Sequence, residues 1–327
     1  MKRFKFVLMM FVVLLLFAGC VTVAHSAASD FDPSKVLIGF MKEDKGHPVV
    51  RMWQASFLTA ARNLGYSQAE LFCGDSTDVA QTVSMAEQGI AKGVKGFVTV
   101  AEHTGYYPII RRAGEQNIPV IMCHTIVKKE DVPGALAFVA CDSFLTGANA
   151  AKAIGDKVGG KGTVAVVQGG RNTTENMTAD GFIKTMKENY PDIKVLDPVE
   201  VTYDEGQAVA RQVAVIQANP DLVAMFSTTG TGPQTLAAAA RQTNKKDLVI
   251  IGMDYLEANL DLIKRGEVYA IMAQPIWEEV EYGVELLDKA LRGDVIPFEN
   301  LMPAPVVRIE DIDQYYGYFE KVRNAFR

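Results

Sequence analysis

Four histidines occur in this chain of 327 residues, and three of them sit at equivalent points of a repeating pattern. His47, His103 and His124 each follow a short apolar run: Val36-Leu37-Ile38-Gly39-Phe40, the run from Gly96 to Ala101, and the run from Ile118 to Cys123. Such runs are too short for helices and read as strands buried on both faces. Parallel strands present their carboxyl ends along one edge, so the three imidazoles are expected on one wall of a cleft. A neutral imidazole both donates and accepts, which suits hydroxyl groups; a protonated one suits a carboxylate. Two other uses stay open. Each histidine can bond to its own loop backbone. With Glu102 and Cys123 near in sequence, the cluster also offers the N and S ligands that zinc takes, although its spacing matches no compact zinc motif. Catalysis finds no support, because the chain has no GxSxG elbow, no HExxH pair and no Walker loop. The residues around Gly169-Gly170 fit no nucleotide fingerprint, and no cofactor is expected.

A strand, loop and helix from Lys35 to Gly65 must hold the first of these side chains. Pro48 fixes φ where a helix begins, and Met52, Trp53, Phe57, Ala60, Ala61 and Leu64 recur at helical spacing before Gly65, at the C-cap. Trp53 either lends its ring to the cleft or packs on the sheet. The alternation continues with strands at Ala69 to Cys73, Gly96 to Ala101, Ile118 to Cys123 and Ala137 to Cys141. Helices are expected from Val79 to Lys92 and through Arg111 to Gln116. After the turn cluster Gly159-Gly160-Lys161-Gly162 the pattern restarts. Thr163 to Val167, Val195 to Val201, Leu222 to Phe226, Leu248 to Gly252 and Tyr269 to Ala273 are extended. Between and after them run helices at Thr178 to Asn189, Gln207 to Ala218, Thr235 to Gln242, Leu256 to Lys264 and Trp277 to Leu291. Strands separated by helices imply right-handed crossovers and parallel sheets. Two such series make an α/β chain of two Rossmann-like lobes, each a parallel sheet flanked by helices, with a cleft between them as the default site.

The first 28 residues are of another kind. Lys2, Arg3 and Lys5 precede an apolar run from Phe6 to Ala18, the order of an export signal. Two cuts are open: after Ala28, or before Cys20 in the lipobox-like Phe17-Ala18-Gly19-Cys20, where the cysteine would carry lipid. A net charge of −6 argues against a nucleic-acid partner. Cys73, Cys123 and Cys141 would survive the later cut. Cys123 and Cys141 end consecutive predicted strands, so they are either bridged or simply small buried hydrophobes.

In order along the chain, IGF…HPVV…LGY, NIPVIMCHT, CDSFLTGANAA, ADGF, VAMFSTTG, VIIGMD and YAIMAQP resemble the type I periplasmic solute-binding proteins of ABC importers. The chain is most similar to their ribose-binding-protein-like, sugar-binding group, from Lys35 to about Val307. The resemblance implies a three-segment hinge, a first lobe of 31–141 plus 275–304 and a second of 142–274 plus 305–327. It implies no enzymatic activity, a monomer, a periplasmic or lipid-anchored location and delivery of the ligand to an ABC transporter permease. Asp254 then matches the second-lobe aspartate, Gln274 the hinge glutamine, and Tyr203 an expected aromatic. Several positions depart from the group. His47 replaces the first-loop asparagine, and Val49 and Val50 replace two phenylalanines. His124-Thr125 replaces an Asp-Arg pair, Asn176 an arginine and Thr229 an asparagine. Ribose itself is therefore not the expected ligand. The expected one is another monosaccharide or a sugar alcohol, held by His47, Trp53, His103 and His124 of one lobe and Asn176, Tyr203, Thr229, Asp254 and Gln274 of the other. A sensor that hands its bound form to a chemoreceptor or histidine kinase is the alternative, and a metal carrier a further one. Glu278, Glu279 and Glu281 read as a solvated helix face, Asp142 as a cap or a hinge residue, and Tyr315-Tyr316-Gly317-Tyr318 as a tail packed on one lobe.

Overall fold

Strand β1 (Leu37–Lys42) is buried at every position. Its side chains alternate between two apolar layers. Leu37 and Met41 join Phe72, Phe97, Tyr106 and Ile109 on one face, while the Phe40 ring on the other lies 5.6 Å from Phe57. Phe57 belongs to α1 (Pro48–Asn63), which starts at Pro48 with His47 as its N-cap and buries Val50, Met52, Trp53, Ala60 and Ala61 as well. The computed structural model describes residues 31–75 and 78–327. The expectations for residues 1–28, Cys20 included, lie outside the described residues.

The chain continues as β2 (Gln68–Cys73), α2 (Val79–Lys92), β3 (Gly96–Thr99), α3 (Tyr107–Glu115), β4 (Val120–Cys123) and β5 (Ala135–Cys141). β4 and β5 pair in parallel although residues 124–134 link them without a helix. A second series follows: α4 (Ser143–Lys157), β6 (Gly162–Gln168), α5 (Thr173–Asn189), β7 (Ile193–Val195), β8 (Val199–Glu200), α6 (Glu205–Ala218), β9 (Leu222–Ser227), α7 (Gly232–Gln242), β10 (Val249–Met253), α8 (Glu257–Lys264) and β11 (Ala270–Met272). Last come α9 (Ile276–Leu291), β12 (Glu299–Met302), β13 (Val306–Val307) and α10 (Ile312–Ala325).

Two sheets result. The first has the order β12-β5-β4-β3-β1-β2, all parallel. The second runs β13-β11-β10-β9-β6-β7 with β8 also on β6, and β13 alone antiparallel among these pairings. The backbone passes between the sheets at Asp142, at Ala273 to Pro275, and between β12 and β13. The sequence reading gives five strands to each lobe; β12 and β13 extend both sheets. Glu299 to Met302 shows no apolar run, and β13 is only two residues long, so neither has a local strand signature.

In the second lobe α4 and α5 touch backbone to backbone. A Cβ at Gly147 would sit 1.8 Å from the Thr178 carbonyl oxygen, and one at Gly181 2.1 Å from that of Phe144, so only glycine allows the approach. The tail helix spans both lobes rather than lying on one. Tyr316 donates its hydroxyl to Asp261 of α8 at 2.6 Å, while the Arg51 guanidinium of α1 stacks 4.5 Å from the Phe326 ring. Cys73, Cys123 and Cys141 are buried free thiols. Asp142 caps α4 by accepting from Leu145 N–H at 2.9 Å.

Candidate functional site

The carboxyl ends of the first sheet carry charge into the core. Lys42, the last residue of β1, and Glu43 are each 4% exposed. Lys42 Nζ donates to Glu43 Oε1 and to Glu102 Oε2, both at 2.7 Å. The Tyr106 hydroxyl donates to the other Glu43 oxygen and accepts from the Glu43 backbone N–H at 2.9 Å. Buried ions persist only when paired and hydrogen-bonded in this way. His103 Nε2 lies 3.6 Å from Glu43 Oε1, its ring mostly exposed. Burial would raise the Glu102 carboxyl, but His124 and Lys42 outweigh it and hold the group below the ordinary carboxylate range.

His124 follows β4 with φ at 72°. That left-handed conformation costs a non-glycine residue roughly 1–3 kcal/mol and is kept where its surroundings over-determine it. Here the backbone N–H is bonded to Val139 O at 2.8 Å, and the ring meets Trp53 edge-on with centroids 4.9 Å apart. Nδ1 lies 3.0 Å from Glu279 Oε2 and 3.5 Å from Gln274 Nε2. A carboxylate only accepts, so Nδ1 holds its proton toward Glu279 and the Gln274 amide stands alongside. Burial disfavours the imidazolium, yet the charge and hydrogen bond of Glu279, with Glu102 and Asp254, lift His124 to about 9. Burial raises the Glu279 carboxyl in turn, against the pull of His124. Glu279 is therefore no solvated residue: it has no exposed surface, and Glu278 accepts hydrogen bonds from Tyr255 and Tyr318. The signal was present in the spacing, since Glu279, Gly283 and Leu287 fall on one helical stripe with Ile276.

The carboxyl ends of the second sheet carry fewer buried charges. Asp254 follows β10 at φ 69°, and Thr202 follows β8 at φ 74°. Asn259 Nδ2 ties down the Asp254 loop through the carbonyls of Gly230 (2.8 Å), Met253 (3.1 Å) and Asp254 (2.9 Å). Asp254 Oδ1 is buried with no hydrogen-bond partner among the described residues. Burial lifts its carboxyl to about 6, with His124 opposing and Glu279 reinforcing the rise. Glu175 organises the neighbouring loops. It accepts from Gly169 N–H at 2.7 Å, from Thr228 Oγ1 and from the Tyr203 hydroxyl at 2.5 Å, while Asn172 Nδ2 donates to the Tyr203 oxygen at 2.9 Å. The Tyr203 ring lies over Gly169, where a Cβ would come within 2.4 Å of it. Asn176 Oδ1 accepts from Gln168 Nε2 at 3.0 Å, and Thr229 Oγ1 lies 3.1 Å from Ser227 Oγ.

Of the residues singled out from sequence, Trp53, His124 and Gln274 are brought into contact, and the charges of Glu102 and Asp254 from the two lobes both act on His124. Asn176 stands in the first turn of α5 beyond β6, and Tyr203 and Thr229 belong to the loops beyond β8 and β9. His47 stands apart: its ring is exposed and its Nδ1 accepts from Val49 N–H at 3.3 Å, capping α1. Lys42, Glu43, Glu175 and Glu279 were not anticipated as parts of the site. Lys42 and Glu43 read as the start of a polar loop. Among the described residues no group of three or more His, Cys, Asp or Glu side chains is arranged to hold a metal ion.

A profile of the family described as "Periplasmic binding protein domain" matches residues 38–294. A xylitol-binding protein of Mycolicibacterium smegmatis is 23% identical over 258 residues, 77% of this chain and 72% of that protein. A D-apiose import binding protein of Actinobacillus succinogenes is 19% identical over 85% of this chain and 89% of its own. Among solved structures, a sugar-binding protein of a sugar ABC transporter from Bacillus halodurans superposes with a TM-score of 0.79, covering 86% of this chain and 99% of that one at 22% identity. At that identity the structural likeness speaks for the fold.

Proposed function

Because the chain belongs to the periplasmic binding protein family, we propose that it is the exported, ligand-capturing component of an ABC importer, without chemistry of its own. Its ligand is a small polyhydroxylated molecule, a monosaccharide or sugar alcohol, bound between the lobes in the periplasm and handed to the permease by the monomeric protein. One observation carries this reading: His124, packed on Trp53 at the end of one sheet, has a ring nitrogen without a protein partner among the described residues, and Asp254 at the end of the other has a buried oxygen without one. Vicinal hydroxyls answer both needs, since each gives and takes a hydrogen bond. The names of the xylitol- and apiose-binding relatives support the same class.

The proposed contacts are His47, Trp53, His103 and His124 on the first lobe, with Asn176, Tyr203, Thr229, Asp254 and Gln274 on the second and the hinge. The moving bodies are taken as 31–141 with 275–304, and 142–274 with 305–327. Closure across three crossings works by population shift, the closed form gaining contacts from both walls at once. Isothermal titration against xylitol, D-apiose, D-ribose, D-allose, a nucleoside and a dicarboxylate tests the class. Binding of a sugar or polyol is expected; binding of the nucleoside or dicarboxylate alone would overturn it.

A further inference from the structure

The His124–Glu279 contact is built for more than tolerating two buried ions. Glu279 has no exposed surface and sits on α9, where its backbone carbonyl also accepts from the Cys123 thiol at 3.4 Å. It is anchored, and it approaches one nitrogen of His124 only. The other nitrogen, Nε2, has no protein acceptor among the described residues, and the ring keeps 17% of its surface exposed. The groups around the imidazole come from five directions. Glu279 comes from α9, Glu102 from beyond β3, Asp254 from beyond β10, Trp53 from α1 and Gln274 from a crossing segment; the nearby Lys42 ammonium is already taken by Glu43 and Glu102. One buried carboxylate thus bonds the imidazole directly, two more act on it through their charge, and its second nitrogen has no protein partner among the described residues.

We propose that Glu279 is a positioning residue that keeps His124 doubly protonated, so that His124 always presents Nε2–H to the ligand as a donor and never as an acceptor. This deepens the proposed function and rests on it for the ligand. A neutral imidazole in its place would be ambiguous, able to bond a hydroxyl in either direction or an amine through its lone pair. The locked form removes the ambiguity. The ligand atom at His124 must be a lone-pair acceptor, while the atom at Asp254 must carry a proton. A hydroxyl satisfies both sites; an ammonium group satisfies only the second.

The test uses Glu279→Gln, which keeps the shape and removes the charge, with xylitol and D-ribose as titrants. Without that charge, burial governs and His124 loses its proton near or below neutrality. The ratio of the variant's Kd to the wild type's is expected to grow by roughly tenfold or more between about pH 5.5 and about pH 8. Asp254 also feels the charges of Glu279 and His124, so the comparison is repeated in the Asp254→Asn background, where that carboxyl no longer titrates. A purely structural role would give a ratio independent of pH, and that result would overturn the proposal. Because the variant can fail to fold, and because neither titrant need bind, the wild-type protein supplies a second arm. Nitrogen-15 NMR of the His124 ring at about pH 7.5 should give two protonated nitrogens, against the neutral ring expected of an ordinary histidine. A neutral His124 there sinks the proposal whatever binds. A cationic His124 with no sugar or polyol binding would leave the positioning role standing and remove the ligand reading.

Discussion

The carboxyl ends of the two sheets, the walls of the proposed site, solve the problem of charge near a core in different ways. On the first lobe every buried ion has its counter-ion within hydrogen-bond distance: Lys42 with Glu43 and Glu102, and His124 with Glu279. On the second, Glu175 is spent on hydrogen bonds to neutral partners that shape the loops, and Asp254 stands at a buried strand end with one oxygen unpartnered. The first wall pairs its buried ions, although Glu279 Oε1 and Trp53 Nε1 are also buried without a hydrogen-bond partner among the described residues. The second keeps an acceptor whose desolvation is uncompensated until something donates to it. Binding energy is therefore expected to concentrate on the second wall, and folding energy on the first.

The largest expected effect tests the first half of that contrast. Lys42→Met removes the cation between two carboxylates, one of them buried, and should cost about 3–5 kcal/mol of stability, the usual penalty for stranding a buried charge. Urea denaturation measures it. Adding Glu43→Gln to the same chain should recover part of the loss, and no recovery would mean that Lys42 acts through packing on Trp53 instead.

A smaller effect with a different signature is expected at the second wall. Asp254→Asn keeps a residue type that tolerates positive φ and removes the charge, so sugar or polyol affinity should fall by about 1.5–3 kcal/mol, the scale of a hydrogen bond to a charged group. The ligand-free protein should be no less stable. The pH dependence sharpens this further. Burial raises the Asp254 carboxyl to about 6. Its protonated form therefore favours the fold fully below the unfolded-chain value, and that contribution is lost as pH rises through about 6. His124, raised to about 9, contributes fully below the ordinary imidazole range and loses its contribution as pH rises through about 9. Urea midpoints should thus decline through about pH 6 and again through about pH 9, the lower decline being smaller in Asp254→Asn, where Glu279, also raised by burial, still contributes in the same direction. A single step shared by both proteins would contradict the assignment.

The smallest effect concerns the loop scaffold. Tyr203→Phe deletes a hydroxyl that donates to Glu175 and accepts from Asn172 while keeping a ring that is 64% exposed. About 0.5–1.5 kcal/mol of stability should go, with affinity nearly unchanged if the ring face is what meets the ligand. A loss of affinity larger than the loss of stability would instead make the hydroxyl the contact.

Much of the architecture was legible without coordinates. Apolar runs of strand length followed by helical spacing mark most of the strands and helices, because each is a local pattern over a handful of residues. The tail helix and the strands β12 and β13 were not legible. α10 divides its contacts between two lobes, and Glu299 to Met302 is half exposed at a sheet edge, so neither carries a strong one-sided pattern. At the site, histidines at strand ends were readable as a set, but what each one does was not. His47 and His124 occupy like positions in the repeat, yet one is an exposed helix cap and the other is packed on Trp53 and bonded to Glu279.

The order of elements, the two series and the residue types waiting beyond each strand follow from the chain alone, since spacing encodes which face of a strand or helix is apolar. Which of those polar residues are ionised, paired or left wanting a partner was decided only in three dimensions. His124 and Glu279 are 155 positions apart, and no local pattern tells a glutamate that an imidazole will meet it inside the core. Charge in a protein interior is set by what the fold brings within a few ångströms, and that is a property of the assembled sheets and not of any segment.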